Sequence, residues 1–237
     1  MTLASLQMPL GVTGYQYEAA TQLAEGLALR VAEALRLAID ERGRALLVVS
    51  GGRSPVAFFE RLAREQLPWK QVQVGLADER WVPLEDANSN EALVRRHLLQ
   101  GAAAEASMVG LCHPAPNLEE AARLADQVIA GLPPIDVLVL GMGDDGHTAS
   151  LFPHSPLLDE ALRADCPHAV LPMQAPAAPH ERLSLTLPLL AGARLSLLAI
   201  QGPAKLETLA RALRPGEAHE LPIRALLKAP LQLHWSP

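Results

Sequence analysis

Apolar side chains recur at Leu23, Leu27, Val31, Leu35 and Ala38 with charged residues between them, a period that predicts an amphipathic helix over Glu18 to Arg42, ended by Gly43. The pattern then changes. ALLVVS (45–50) is a short apolar run that reads as a strand, and it stops at Gly51-Gly52. The segment that follows, Pro55 with VAFFERLAREQ, reads as a helix with Ser54 as N-cap and Pro55 as first residue.

The same alternation repeats along the chain. QVQVGLA (71–77) reads as a strand and Asn90 to Leu99 as a helix. Asn117, with Glu120 three residues on, opens a helix that runs to Ile129. IDVLVL (135–140) is apolar enough for a strand buried on both faces. Further strands are expected at His168 to Met173, Arg182 to Leu187, Arg194 to Ile200 and Leu231 to Trp235, with a helix at Ala204 to Leu213. Strands alternating with helices imply an α/β fold, a mostly parallel sheet with helices on both faces. In such sheets ligands sit at the carboxyl ends of strands, so the loops after Ser50, Ala77 and Leu140 are where chemistry is expected.

Length and composition narrow the picture. At 237 residues, with a 49% hydrophobic and 19% charged composition, the chain is expected to form one domain over residues 1–237. MQAPAAPHER (173–182) is the most loop-like stretch, but it is too short for a domain boundary. The formal net charge is −6 and no Lys/Arg cluster accumulates, which argues against a nucleic-acid partner. The opening MTLASLQMPLGVTGYQ lacks the pattern of a signal peptide, and Leu183 to Ile200 is too interrupted by polar residues for a membrane span. A cytoplasmic protein is expected, with Cys112 and Cys166 as free thiols and a monomer or small homo-oligomer as its state.

Three segments carry candidate chemistry. Ser50 to Pro55 (SGGRSP) lies between strand and helix: its glycines let a ligand approach the backbone, and the N–H groups of the next helix suit an anion. An ordinary turn has the same pattern, and no G-K-[ST] follows to make it a Walker loop. Ala77 to Pro83 (ADERWVP) places three charges directly after a strand, either lining the crevice or forming a solvated loop.

Gly141 to Pro153 (GMGDDGHTASLFP) is the most informative. Its glycines match G-x-G-x-x-G, but Asp144 and Asp145 would repel a pyrophosphate and Pro153 stops the next helix too soon for a dinucleotide fold. What remains is a loop presenting two carboxylates and an imidazole at a strand end. Imidazole is the side chain suited to taking and returning a proton, and Asp145 can fix the tautomer of His147, the requirements of a general base. Asp144, Asp145 and His147 could instead ligate a divalent ion, a reading that is not preferred; no metal or cofactor is expected. No G-x-S-x-G elbow surrounds Ser50 or Ser150, and the Cys-His pairs lack metal or thiol-catalyst spacing.

Together, SGGRSP, LADERWVPLEDANSN and LVLGMGDDGHTASLFPHSP resemble the 6-phosphogluconolactonase family, with PHERLSLTLPLL and IQGPAK in support. The resemblance runs from about Glu18 to the end of the chain, and it implies hydrolysis of a phosphorylated sugar lactone on a modified Rossmann-like fold shared with glucosamine-6-phosphate deaminase. It also implies a phosphate cradle at Gly51, Gly52, Arg53 and Ser54 with Arg182 and Lys205, and a sugar pocket lined by Asp78, Arg80 and Asp145 with His147 as base. Arg53 and Ser54 depart from the commoner small residue followed by Thr. Arg80, or backbone N–H groups of the Gly141 to Gly146 loop, would hold the oxyanion.

Two other readings stand beside this one. In the sibling deaminases the histidine loop continues into Asn-Glu-Pro, whose carboxylate takes part in catalysis; here Ser150-Leu151-Phe152-Pro153 stands instead. A non-catalytic sugar-phosphate sensor would need a DNA-binding module, and about 17 residues before the first helix are too few for one.

Overall fold

Helix α1 spans Ala20–Arg42 in the computed structural model, which describes residues 2–228 and 230–237. Its apolar stripe, from Leu23 to Ala38, is buried as the spacing requires. The other helices are α2 (Val56–Leu62), α3 (Asn90–His97), α4 (Leu118–Ala130), α5 (Leu158–Ala161), α6 (Leu187–Ala191) and α7 (Pro203–Ala212). The strands are β1 (Val12–Gln16), β2 (Ala45–Val49), β3 (Val72–Leu76), β4 (Asp78–Arg80), β5 (Ser107–Val109), β6 (Val137–Leu140), β7 (Val170–Gln174), β8 (Glu181–Leu185), β9 (Leu195–Gln201) and β10 (Leu231–Ser236).

Seven of the strands form a sheet in the order β1-β10-β9-β6-β2-β3-β5, every pair parallel. Its centre matches its sequence, since every residue of β2 and β6 is buried. Helix α1 packs on β2, β6, β9 and β10, while Leu46 and Val48 of β2 meet Ile129 of α4 and Leu185 of β8 around a small apolar gap. Val49 lies opposite both Leu76 and Val139, and Leu140 opposite Leu198, so the loops leaving these strands converge at one end of the sheet.

The expected mostly parallel sheet is present, and a second sheet stands beside it. β7 and β8 leave the parallel sheet and form a separate antiparallel sheet in the order β4-β8-β7. Its third strand is the charged segment Asp78–Arg80, which the sequence placed in a loop. Ala77 is the joint: its N–H donates to Val49 of the large sheet, and its carbonyl accepts from Leu185 of the small one, both at 2.9 Å.

Two edge strands carried no usable hydrophobic signal. β1 buries only Val12, and β5 is three residues long. The caps divide likewise. Asn117 Oδ1 accepts from Glu120 N at 2.9 Å as expected, whereas Pro55, not Ser54, stands at the N-cap of α2 and no side chain caps it. No helix among the described residues is long and apolar enough to cross a membrane.

Candidate active site

A cavity of about 490 Å³ opens where the carboxyl ends of β2, β6 and β9 meet the small sheet. It gathers every residue that the sequence singled out for the site: Gly51, Gly52, Arg53, Ser54, Asp78, Arg80, Asp145, His147, Arg182 and Lys205.

The loop after β6 holds the imidazole. His147 Nδ1 lies 2.5 Å from Asp145 Oδ1, and the same oxygen accepts the His147 backbone N–H at 3.1 Å. With Nδ1 donating to the carboxylate, Nε2 is left as an acceptor for a proton. Burial opposes ionisation of Asp145, but the hydrogen bond and charge of His147 outweigh it and hold the carboxyl below its ordinary value. Gly143 is obligatory here, because a Cβ on it would stand 2.1 Å from His147 Nδ1 and 2.5 Å from Asp145 Oδ1. The Gly143 N–H donates to His147 O at 2.8 Å and the Gly146 N–H to Gly143 O at 3.1 Å. Both of these N–H groups are therefore spent within the loop and are not free for an oxyanion.

The loop after β2 approaches from beside it. A Cβ on Gly51 would fall 1.9 Å from Asn90 Oδ1, so this backbone passes against Asn90, whose Nδ2 donates to the Asp78 carbonyl at 2.9 Å. Arg53 and Ser54 are exposed at the cavity mouth. Lys205 stands in the first turn of α7 with Nζ 3.1 Å from Asp144 Oδ1.

The small sheet supplies the remaining side chains. In the antiparallel register Asp78 lies opposite Ser184 and Arg80 opposite Arg182, and directly paired residues share a face. Asp78, Arg80 and Arg182 accordingly point into the cavity together. Glu79 takes the other face, where its carboxylate accepts from the N–H groups of Asn90 and Glu91 at the start of α3, each at 2.7 Å. Burial raises the Glu79 carboxyl above its ordinary value, against those hydrogen bonds and that of Arg80 N–H. Neither Asp78 nor Glu79 is the solvated charge that a loop would carry: they are 6% and 1% exposed.

Arg80 and Arg182 are the only arginines among the described residues that are neither exposed nor ion-paired. Arg182 donates through Nε to Pro179 O at 2.8 Å, and Arg80 through Nη1 to Asn88 O at 2.6 Å, while Arg80 Nε is buried without a partner. Burial, and then the neighbouring Arg80, lower the Arg182 pKa. Two like charges on one face, one of them buried, are unfavourable by themselves. An anion in the cavity would relieve them.

Several lining groups escaped the sequence reading. Phe152 packs against His147, and Ser150, considered and dismissed as a nucleophile, donates to Asp78 Oδ2 at 2.6 Å. Asn90 was read only as a helix start. Ala175, Pro176 and Ala177 of the β7–β8 connection form one wall. Only Phe152 and Ser150 had a signal, their place in the histidine loop. No group of three or more His, Cys, Asp or Glu side chains converges for a metal among the described residues, and Asp144 faces Lys205 instead. Cys112 and Cys166 are free, and burial pushes the Cys112 thiol up to about 12.

Comparison with known proteins agrees with this geometry. The family model for glucosamine-6-phosphate isomerases/6-phosphogluconolactonase matches residues 18–235. The chain is 56% identical to a 6-phosphogluconolactonase of Pseudomonas aeruginosa with all of both chains covered, and 54% identical to one of Pseudomonas putida over all of this chain and 98% of that one. The crystal structure of a 6-phosphogluconolactonase from Shewanella baltica superposes with a TM-score of 0.92 at 37% identity, covering 98% of this chain and 100% of that one. Sequence, sheet order and cavity lead to one assignment: the chain belongs to the glucosamine-6-phosphate isomerase/6-phosphogluconolactonase family.

Proposed function

We propose that residues 1–237 act as one catalytic unit that hydrolyses 6-phospho-D-glucono-1,5-lactone to 6-phospho-D-gluconate, with His147 as general base. The observation that carries this reading is the His147–Asp145 pair, 2.5 Å apart, on the wall of a cavity that also holds two guanidiniums without a carboxylate partner, that of Arg182 buried. A base and an anion site in one cavity suit a neutral, hydrolysable group tethered to a phosphate.

Neutral His147 takes a proton from water through Nε2 as the water oxygen attacks C1 of the lactone. The carbonyl electrons move onto its oxygen, and Arg80 stabilises that oxyanion; one such donor is worth roughly 3 to 4 kcal/mol. When the tetrahedral intermediate collapses, the bond from C1 to the ring oxygen breaks and His147 returns its proton to that oxygen. The acid product then ionises in solution. Asp145 orients the imidazole and balances its transient positive charge. Gly51, Gly52, Arg53 and Ser54 receive the phosphate with Arg182 and Lys205, and Asp78, its Oδ2 occupied by Ser150, turns its other oxygen to a sugar hydroxyl. The protein needs no cofactor for these steps.

The sibling deamination is disfavoured by the side chain at position 152. Asp78 and Asp145 are the only carboxylates on the cavity wall among the described residues, and the histidine loop continues into an apolar ring. Lactone generated in situ from glucose 6-phosphate, followed at mildly acidic pH where spontaneous hydrolysis is slow, tests the reading. The His147→Asn variant is expected to lose about 10²- to 10⁴-fold in turnover while binding 6-phosphogluconate nearly as well as the parent. An active variant would sink the assignment of the base, and ammonia release from glucosamine 6-phosphate would favour the sibling.

A further inference from the structure

The hydrogen bond from His147 to Asp145 fixes one edge of the imidazole but not the plane of the ring. Both partners are also partly open to water, with side chains 31% and 43% exposed, so the bond alone is a soft constraint. A second contact supplies what is missing. The Phe152 ring lies with its centroid 4.3 Å from that of His147, the planes tilted by 38°, and Phe152 itself is 5% exposed. The same ring carries the Arg182 guanidinium, whose Cζ stands 5.6 Å from the Phe152 centroid. One rigid side chain therefore touches both the imidazole and one of the two unpaired guanidiniums.

The backbone is arranged to keep it there. Leu151 N–H donates to Thr148 O at 3.0 Å, closing a tight turn that folds Phe152 back over His147. This turn places Ala149 at φ +49°, a left-handed conformation that a non-glycine residue adopts at some energetic cost. Ser150, fully buried at the next position, is tied on both sides: its N–H donates to Ser184 Oγ at 3.2 Å and its hydroxyl to Asp78 at 2.6 Å. Strain held by a buried hydrogen-bond network keeps the ring from drifting.

We propose that Phe152 is a positioning residue that sets the spacing between the general base and the phosphate-binding cation, and thereby the length of substrate the cavity accepts. The proposal rests on the lactonase reading above. A lactone whose phosphate is anchored at Arg182 meets His147 at a distance fixed by the thickness and tilt of one phenyl ring. A flexible aliphatic side chain of similar volume would fill the space without holding either group. Misplacing a reacting atom by about 1 Å costs on the order of 10²-fold in rate.

Steady-state kinetics of Phe152→Leu, Phe152→Met and Phe152→Tyr, beside their thermal unfolding, test this. In the folded Leu and Met variants kcat is expected to fall about 10- to 100-fold with KM rising only a few-fold, and Tyr, which keeps the flat ring, should stay within about threefold of the parent. The parent offers a second readout that needs no change at position 152. The ring current of Phe152 should displace the His147 Hε1 resonance upfield of an exposed histidine, the signal being identified by its absence in His147→Asn. Parental kcat in a folded Leu or Met variant, an equal loss with Tyr, or an undisplaced Hε1 signal would each overturn the role of the ring. Absence of lactone hydrolysis by the parent protein would instead overturn the functional reading.

Discussion

The seven-stranded parallel sheet reaches the cavity with loops, whereas the three-stranded antiparallel sheet reaches it with side chains from inside its strands. Strands such as β2 and β6 are buried at every position and leave no face for chemistry, so their polar contribution starts at Ser50 and Gly141, just past the strand ends. The small sheet alternates. Asp78, Arg80 and Arg182 share the face toward the cavity, while Glu79 and Leu183 take the opposite one. Loops present backbone and an imidazole held by Asp145 and Phe152. Strands present guanidiniums that are already fixed, at the cost of burying charge.

The sharpest way to break this contrast is to spoil the loop without touching its catalytic side chains. Gly143→Ala would put a methyl group 2.1 Å from His147 Nδ1, so the imidazole must leave Asp145. Turnover should fall roughly 10²- to 10⁴-fold, the full contribution of base catalysis, while circular dichroism and the unfolding midpoint change little. Parental turnover in this variant would mean that the loop tolerates a different placement of its base.

On the small sheet the expected effect is smaller and has two signs. Arg182→Met removes a buried cation that lacks a carboxylate partner, so KM for the lactone should rise at least about 30-fold, the equivalent of ~2 kcal/mol. Thermal stability should rise in the same variant, because the folded state no longer carries the unpaired charge. A variant that both loses stability and keeps its KM would refute the view that this strand stores charge for a ligand.

The last effect is on stability alone and concerns how the large sheet treats a buried base. His234 of β10 is 2% exposed, stacked against Tyr15 at 4.9 Å, and in contact with the Tyr17 hydroxyl through Nδ1 at 2.8 Å. Burial, helped by the charge of Arg30, pushes its pKa from 6.5 down to about 4. The folded protein therefore keeps it neutral where the unfolded chain would take up a proton. Stability from this site is complete above pH 6.5, is lost as pH falls from about 6.5 toward about 4, and levels off below that. At about 1.4 kcal/mol per unit the loss is at most ~3.5 kcal/mol. Urea unfolding at pH 7 and pH 4.5 should show a shallower acid loss for His234→Gln than for the parent; identical losses would refute it. The imidazole of the large sheet can shed its charge, whereas the guanidiniums of the small sheet cannot.

Periodicity and local chemistry in the sequence determined the parallel framework, the converging loops and the residues of the histidine motif. Those features are local: an apolar run long enough to be buried on both faces, a cap, a glycine between strand and helix. Tertiary structure decided the rest. Asp78–Arg80 became a strand because β8 lies beside it, and pairing across about a hundred residues leaves no mark on a three-residue segment. The edge strand β1 is mostly exposed, so no hydrophobic period announced it. Phe152 stood in the histidine loop with nothing in the sequence to mark its partners. Its contacts with His147 and Arg182 join a turn to a distant strand, and only the folded packing, not the order of residues, brings those three side chains together.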